Sequence, residues 1–367
     1  MSTALAEVFP VGEFLADELD ERGWTQAEFA EILGRPAQFV SEIISGKKEI
    51  TRESAAQIGA ALGTSPEVWL NLQNAYHLWR QAADQRSKDQ LEDVRLRARL
   101  KELAPISVLL DRGIIRSRTP REQKVEIEAL YGIVDIFDEP DLLVAARRSQ
   151  PDEIVSSTQL AWIACVRAKA TPLTVATYSR KGLVELAKRL TAEVPTPDDI
   201  KRLPDLFAAV GVRLVYVEAF PSSKMDGCSF LHPDGKPVIG ISGRGKRLDK
   251  VIFTILHEVA HIVLGHLKDH EFVIDDAGDG PTLGLEEPAN EMAGEWVFPD
   301  PIGRLPDRLT QGWIAKEASE RNVHPIVLIG RLQNQGRLPW RTTLVKGAPS
   351  VDQQLQDWGS FQPHSSD

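Results

Sequence analysis

The chain has 367 residues, of which 42% are hydrophobic, and this length allows two or three packed units with cores of their own. Its formal net charge of −10 disfavours a general nucleic-acid coat, because such binding depends on phosphate neutralisation by Lys and Arg. Two cysteines exclude a disulfide framework or a cysteine-based zinc knuckle, and the absence of a leader or a long apolar run predicts a cytoplasmic protein.

The apolar spacing predicts a mainly α fold of the α+β class. Residues 1–80 read as a five-helix domain, and 81–200 as a helical connecting region. Alternating residues after Gly211 and the turn at Pro233-Asp234-Gly235 predict a small antiparallel sheet. Helices at Leu248–Leu264 and about Pro288–Val297 complete a domain over 201–346. A polar composition predicts a flexible tail over 347–367.

The first 80 residues contain the pattern of two helices crossing through a tight turn. Thr25 with Glu28 forms the two halves of a capping box, which predicts a helix start. Gly34 ends that helix and Pro36 begins the next, whose Val40 and Ile43 would face the core. These signals predict a helix-turn-helix, the second helix of which enters the major groove of operator DNA.

The outward face of the second helix supplies the candidate DNA contacts. Gln38, Ser41 and Glu42 would read bases, and the nearby cations would lie at phosphates: Arg35, Lys47, Lys48 and Arg52. Residues 1–80 hold twelve acidic and six basic side chains. This balance leaves open a helical bundle that contacts protein instead, although a homodimer through this domain would double the basic patch.

The run His257-Glu258-Val259-Ala260-His261 lies in the strongly apolar helix after the predicted sheet. Residues i and i+4 share a helix face, so both imidazoles can bind one ion, while Glu258 is turned about 100° away. Histidines in a buried helix need polar partners, and a metal provides one. The motif therefore predicts a zinc (Zn²⁺) site with Glu258 as the catalytic base.

A catalytic zinc site takes a third protein ligand. Leu267 stands where a metzincin has its third His, which excludes that class. Glu286, one helix further on, is the expected ligand, with Glu287 as the alternative if the helix starts differently. A Glu pair that only complements the helix dipole also remains open. Asn290 is predicted to accept the remaining N–H of a ligand histidine. His266, at the helix end beside Gly265, is predicted either to support a ligand histidine or to cap the helix.

The predicted chemistry is hydrolysis of a peptide bond, with Glu258 moving the proton from water to the leaving amine. The group that stabilises the oxyanion is not identifiable, although four side chains are candidates: Tyr178, Tyr216, His232 and Arg244. Cys228, just upstream of the metal helix, reads as a small buried residue, with a redox-responsive thiol as the alternative.

The N-terminal segment, through Pro10 to Leu15 and Glu42 to Lys48, resembles HigA-type antitoxins of the Xre-like helix-turn-helix family. Gly211 to Pro299 is similar to the ImmA/IrrE family of metallopeptidases, through Phe253 to His261 and Glu286 to Ala293. The resemblance implies a bacterial regulator, linked to stress, mobile elements or toxin–antitoxin systems, whose zinc endopeptidase cleaves a partner such as a repressor or toxin. The alternative is a repressor or antitoxin whose metal domain only binds a partner or senses.

Overall fold

The computed structural model describes residues 8–141, 155–269, 272–276, 284–298, 302 and 305–359. Two compact units make up the chain, Met1–Arg95 and Leu96–Asp367. Within the described residues, every helix is too short or too polar to cross a membrane. Pro299, expected to end the Glu286 helix, lies outside the described residues.

The first unit contains the five expected helices. They are α1 (Val11–Arg22), α2 (Gln26–Ile32), α3 (Ala37–Ile44), α4 (Arg52–Leu62) and α5 (Pro66–Ala83). Their inward positions form one apolar core around Leu15, Phe29, Val40, Ile58 and Trp69. The helix α6 (Gln85–Leu103) follows, and the boundary between the two units falls inside it.

The turn between α2 and α3 follows the local chemistry of its residues. The Thr25 amide donates to Oε2 of Glu28 over 2.7 Å, and the Glu28 amide donates to the Thr25 hydroxyl over 3.2 Å. Gly34 adopts φ of 64°, which reverses the chain after α2, and Pro36 is the N-cap of α3. The predicted helix-turn-helix is therefore present, with Ala30 buried where the two helices meet.

Helices also fill the region expected to connect the two domains and the stretch directly after it. They are α7 (Ile106–Asp111), α8 (Pro120–Tyr131), α9 (Ser157–Ala170), α10 (Arg180–Glu193), a 3-10 helix (Pro197–Arg202) and α11 (Leu203–Ala209). From Leu96 onward this region belongs to the core of the second unit and is no separate connector. The fully buried Trp162 of α9, for example, donates its indole N–H to the Val217 carbonyl over 2.8 Å.

The sheet has four strands, β1 (Arg213–Tyr216), β2 (Met225–Leu231), β3 (Pro237–Ile241) and β4 (Phe272–Asp276), in the order β1-β3-β2-β4. β2 pairs antiparallel with β3 and β4, but β1 and β3 are parallel. The prediction of a wholly antiparallel sheet is thus wrong at β1. The chain reverses before and after β2, and β3, the returning strand, lies beside β1.

Both faces of the sheet are covered by helices. Leu214 and Tyr216 of β1 join one apolar cluster, whereas Val215 and Val217 join the cluster that contains α9. Successive side chains of a strand point to opposite faces, so this alternation places the sheet between two helical layers. The layer opposite α9 carries the candidate chemistry.

That layer contains α12 (Leu248–Leu264), the short α13 (His266–Asp269), α14 (Glu286–Val297), α15 (Gln311–Glu320) and α16 (Pro325–Asn334). A 3-10 helix (Thr343–Val345) and α17 (Asp352–Gln356) follow. The expected flexible tail is wrong over its described part, because Val351 and Leu355 are fully buried and the Trp358 indole donates to the Ile200 carbonyl over 3.1 Å. Residues 360–367 lie outside the described residues.

Candidate metal centre

Two helices bring three ligand-type side chains together. His257 and His261 lie one turn apart on α12, with their Nε2 atoms 3.0 Å apart. Glu286, the first residue of α14, has Oε2 3.0 Å from Nε2 of His257 and Oε1 3.5 Å from Nε2 of His261. Ala289 and Ala293 are fully buried on α14, and such small side chains allow close approach of the two helices.

This donor set fits a tetrahedral zinc ion. Two imidazoles and one carboxylate are a usual catalytic ligand set, and bond lengths of about 2.0–2.1 Å would place ligand atoms about 3.3 Å apart. The observed separations of 3.0 and 3.5 Å bracket that value. Burial, with the neighbouring His257 and His266, lowers the pKa of His261 to about 2, so its ring is neutral and has a lone pair to offer.

The other nitrogen of His261 is held by the third histidine of the segment. Nδ1 of His266, on α13, lies 2.8 Å from Nδ1 of His261, so one ring donates to the other. This contact orients the His261 ring and leaves Nε2 directed toward Glu286. His266 thus contacts the ring of a ligand-type histidine, and its supporting role stays a prediction.

Two other predicted residues, Glu287 and Asn290, form no hydrogen bond or ion pair with the ligand-type histidines in the part of the chain that the structure describes. Glu287 is exposed, and the structure brings Glu286, not Glu287, to the histidines. Asn290 is exposed and makes no hydrogen bond to His257 or His261 within the described residues, so its predicted supporting role is wrong. The stripe of α14 that faces α12 is made instead by Ala289, Ala293 and Val297, because the helix is rotated enough to turn Asn290 outward.

Glu258 is fully buried and lies against strand β2. A Cβ atom at Gly227 would overlap Oε1 of Glu258 and come within 3.0 Å of Cγ2 of Thr254. A side chain at this position of β2 would therefore displace the carboxylate from the position it occupies. The sequence reading missed Gly227, although a glycine inside a strand is a signal of close approach by another group.

The predicted DNA contacts lie on the outer face of α3 and in the segments before and after it. Gln38 donates to Oε1 of Glu42 over 2.8 Å, and Lys48 lies 3.6 Å from the same carboxylate. Arg35 forms an ion pair with Glu53. Ser41, Lys47 and Arg52 are exposed, and the two cations have no ion pair within the described residues.

Two family models match the chain. A helix-turn-helix model matches residues 15–69, and the Peptidase M78 model, the IrrE N-terminal-like domain, matches 210–314. The uncharacterised HTH-type transcriptional regulator YddM of Escherichia coli is 36% identical over 67 residues, which are 18% of this chain and 71% of that protein. The chain belongs to the helix-turn-helix regulators and carries an IrrE-like domain.

Further relatives of the regulator match the same N-terminal region. Antitoxin HigA-1 of Vibrio cholerae is 43% identical over 70 residues, covering 19% of this chain and 66% of that protein. A crystal structure of a proposed antidote protein of a plasmid maintenance system, from Nostoc punctiforme, is 41% identical. It covers 24% of this chain and 97% of that one, with a TM-score of 0.22. The helix-turn-helix model and the HTH-type transcriptional regulator support DNA binding by the first unit.

Two of the oxyanion candidates of the IrrE-like domain make other polar contacts, and the two tyrosines pack in or against the core. His232 lies 3.1 Å from Asp234 in the β2–β3 turn, and Arg244 donates to the Lys224 carbonyl over 2.7 Å. Tyr216 packs in the core, where burial raises its pKa, and burial also raises the pKa of the partly buried Tyr178. None of these contacts places the four side chains beside Glu258.

Cys228 has the environment of a structural residue. It is fully buried in β2, and burial together with the nearby Glu258 raises the pKa of its thiol well above the usual value. A thiol held neutral in this way is a poor nucleophile and a poor redox sensor. The interpretation as a small buried residue therefore holds.

Proposed function

We propose that this regulator is a zinc-dependent endopeptidase that cleaves a partner regulatory protein. We also propose that its helix-turn-helix binds operator DNA and so localises the peptidase there. The convergence of His257, His261 and Glu286 on one point supports this proposal, together with the fully buried Glu258, which follows His257 in the chain. The cellular setting would be stress, a mobile element or a toxin–antitoxin pair. The partner would be a repressor or a toxin.

The residues of the centre would divide the work between binding and proton transfer. His257, His261 and Glu286 would hold the metal, and His266 would fix the tautomer and orientation of His261. When bound, zinc supplies Lewis-acid activation of water and of the scissile carbonyl. Glu258 accepts the proton of the attacking water and delivers it to the leaving amine, and Gly227 leaves room for its carboxylate.

Cleavage of the partner tests the proposal. The full chain would be co-expressed with the product of the adjacent gene, and the partner would be followed by immunoblotting and mass spectrometry. We expect wild type to cut the partner and Glu258→Gln to leave it whole while both bind one zinc. The control is Glu287→Gln, a carboxylate exposed beside the site, which should cut as wild type does. A partner equally whole with wild type and Glu258→Gln would contradict peptidase function.

A second function is favoured by the complete helix-turn-helix. The chain would then act as a repressor or antitoxin, as a homodimer on its operator, with a metal domain that only binds or senses a partner. The capped α2, the buried Val40 and Ile43, and the exposed Lys47 and Arg52 support DNA binding. A gel-shift experiment with the promoter of the gene that encodes this chain tests this function. The absence of a shift even at low salt would contradict it.

A further inference from the structure

A cavity of about 430 Å³ opens beside the candidate metal centre in the second unit. Phe253 and Asn290, both on its wall, are each four residues from a ligand-type residue, His257 on α12 and Glu286 on α14. Residues four apart share a helix face, so on each helix the cavity-lining residue and the ligand-type residue lie on the same face, one turn apart. The ring centroids of Phe253 and His257 are 6.2 Å apart, so a side chain of the cavity wall lies next to a side chain of the candidate metal centre.

Most charges that line the cavity neutralise each other. Lys250 lies 3.0 Å from Asp226, and Arg247 forms an ion pair of 2.6 Å with Asp249. Asp226 also lies 3.6 Å from Arg244. The remaining walls are largely apolar, from Phe253, Val297, Val327 and the exposed Trp340. Such a mixture of apolar walls and few polar groups is typical of a ligand pocket.

Arg331 of α16 is the one lining cation that no acid pairs among the residues the structure describes. Its guanidinium lies against α14 at Gly294, where a Cβ atom would overlap Nη1. Glu295, the acid with the largest electrostatic effect on it, is exposed and forms no ion pair with it within the described residues. Burial lowers the pKa of Arg331, although arginine stays charged. A partly buried guanidinium with this surrounding has hydrogen-bond donors to offer to an anion.

We infer that the cavity is the pocket for a substrate segment that carries a carboxylate beside an apolar side chain, and that Arg331 binds the carboxylate. This inference rests on the proposed peptidase function, because it assigns the occupant to the protein that is cut. The apolar side chain would pack on Phe253, Val327 and Trp340, and the carboxylate would receive the guanidinium N–H groups. The carboxylate is either a chain terminus or an acidic side chain, two sources of one chemistry.

Calorimetric titration of three short peptides tests the pocket. The protein is full-length, zinc-loaded Glu258→Gln, in which no peptide is expected to be cut. The probes are acetyl-Ala-Phe with a free terminus, acetyl-Glu-Phe-amide and the uncharged acetyl-Gln-Phe-amide. We expect at least one carboxylate probe to bind roughly 10- to 100-fold more tightly than the uncharged one, as charged hydrogen bonds generally allow. The probe that binds more tightly than the uncharged peptide identifies the source of the carboxylate.

Variants assign that gain to Arg331. In the Glu258→Gln background, Arg331→Gln should abolish the carboxylate preference, and so should Gly294→Ala, whose methyl group displaces the guanidinium without changing the charge. The matched control is Arg337→Gln, an exposed arginine outside the cavity wall, which should keep the preference. Circular dichroism of each variant confirms that it is folded.

Three results would overturn the inference: equal binding of all probes, a preference that survives Arg331→Gln, or a preference that vanishes when zinc is removed, since the metal would then be the carboxylate receptor. Binding is measured without turnover, so the two proposals fail separately. Cleavage of a partner without any carboxylate preference contradicts the pocket alone. Carboxylate binding by Arg331 without cleavage contradicts the peptidase alone.

Discussion

The candidate metal centre of the IrrE-like domain and the predicted DNA-binding surface around α3 are built in opposite ways. At the metal centre, His257, Glu258 and His261 are at most 2% exposed, and helices and a strand hold them from several sides. On α3, Gln38 and Ser41 are exposed, and Gln38 binds Glu42 of its own helix. One site is assembled by packing, whereas the other is a set of side chains on a rigid frame.

The difference shows what each site requires before it can work. Buried groups lose little conformational entropy when a ligand arrives, because folding has already fixed them. Near α3, the ion pairs of Arg35 with Glu53 and of Lys48 with Glu42 must break before these cations can reach phosphates. We therefore expect large, all-or-none effects from changes at the metal centre and small, salt-dependent effects from changes on α3.

The largest effect is expected for His261→Ala, which removes one of the three ligand-type residues. We expect zinc content to fall from about one ion per chain to near zero, because two ligands do not hold a structural or catalytic zinc. Atomic absorption on the purified chain measures this. The control is His77→Ala, a partly exposed histidine of the first unit that should leave zinc content unchanged. Full zinc retention in His261→Ala would refute the assigned ligand set.

Gly227→Ala tests the packing around the base. The added methyl group would overlap the Glu258 carboxylate and push it from its position. A displacement of about 1 Å at a catalytic group can cost about 100-fold in rate, so we expect cleavage to fall about that much while zinc stays bound. Gly312→Ala, where the new methyl group meets nothing within 4 Å, is the control. Unchanged cleavage in Gly227→Ala would show that Glu258 tolerates the shift.

His266→Ala removes the support of His261 without removing a ligand. Loss of such a supporting hydrogen bond weakens metal affinity by about 10- to 100-fold in other zinc sites, and we expect a similar loss here. Competition with a chromophoric chelator measures the affinity. An affinity equal to wild type would mean that His261 is oriented by its packing alone.

Lys169 offers a partly buried cation in the second unit for comparison with the exposed cations near α3. Burial lowers its pKa to about 8 from the usual 10.5. Between these values the unfolded chain holds a proton that the folded chain has lost, so the free energy of unfolding rises with pH in this window. Since Lys169 is only partly buried, screening limits the rise to about 1 kcal/mol.

We expect Lys169→Met to flatten this rise between pH 8 and 10.5, measured by urea unfolding at several pH values. Lys181→Met, at a side chain 89% exposed, should keep the wild-type slope. Identical slopes in wild type and Lys169→Met would show that Lys169 keeps an ordinary pKa.

The smallest effects are expected on DNA binding. Lys47→Ala should reduce operator affinity a few-fold and lower the slope of log affinity against log salt by about 0.9, the value for one phosphate contact. Arg35→Ala should change less, because Glu53 already occupies this guanidinium. Fluorescence anisotropy across a salt series measures both. A larger loss in Arg35→Ala would mean that DNA displaces Glu53 at little cost.

Local signals predicted much of the fold and of the site. The capping box at Thr25 and the i, i+4 histidines on α12 each depend on a few neighbouring residues, and both are present as expected. Glu286 was expected as the third ligand from the helix that follows the histidines, and the structure brings it to both of them.

Features that depend on contacts between distant parts of the chain could not be predicted from the sequence. The parallel pairing of β1 with β3 depends on where the returning strand inserts, which no local pattern specifies. The outward rotation of Asn290 depends on how α14 sits against α12, and Gly227 was missed because its partner Glu258 is 31 positions away. In each case tertiary contact decided between locally equivalent options.

The segment after the last 3-10 helix has a consequence for the fate of shortened chains in the cell. The Val351 amide donates to the Lys246 carbonyl over 2.8 Å, just before α12, and Leu355 is fully buried. A premature stop after Lys346 would spare all three ligand-type residues yet uncover apolar surface beneath α17. Chaperones and proteases recognise such surface, so loss of this polar-looking end would lower the abundance of the chain before it altered any chemistry.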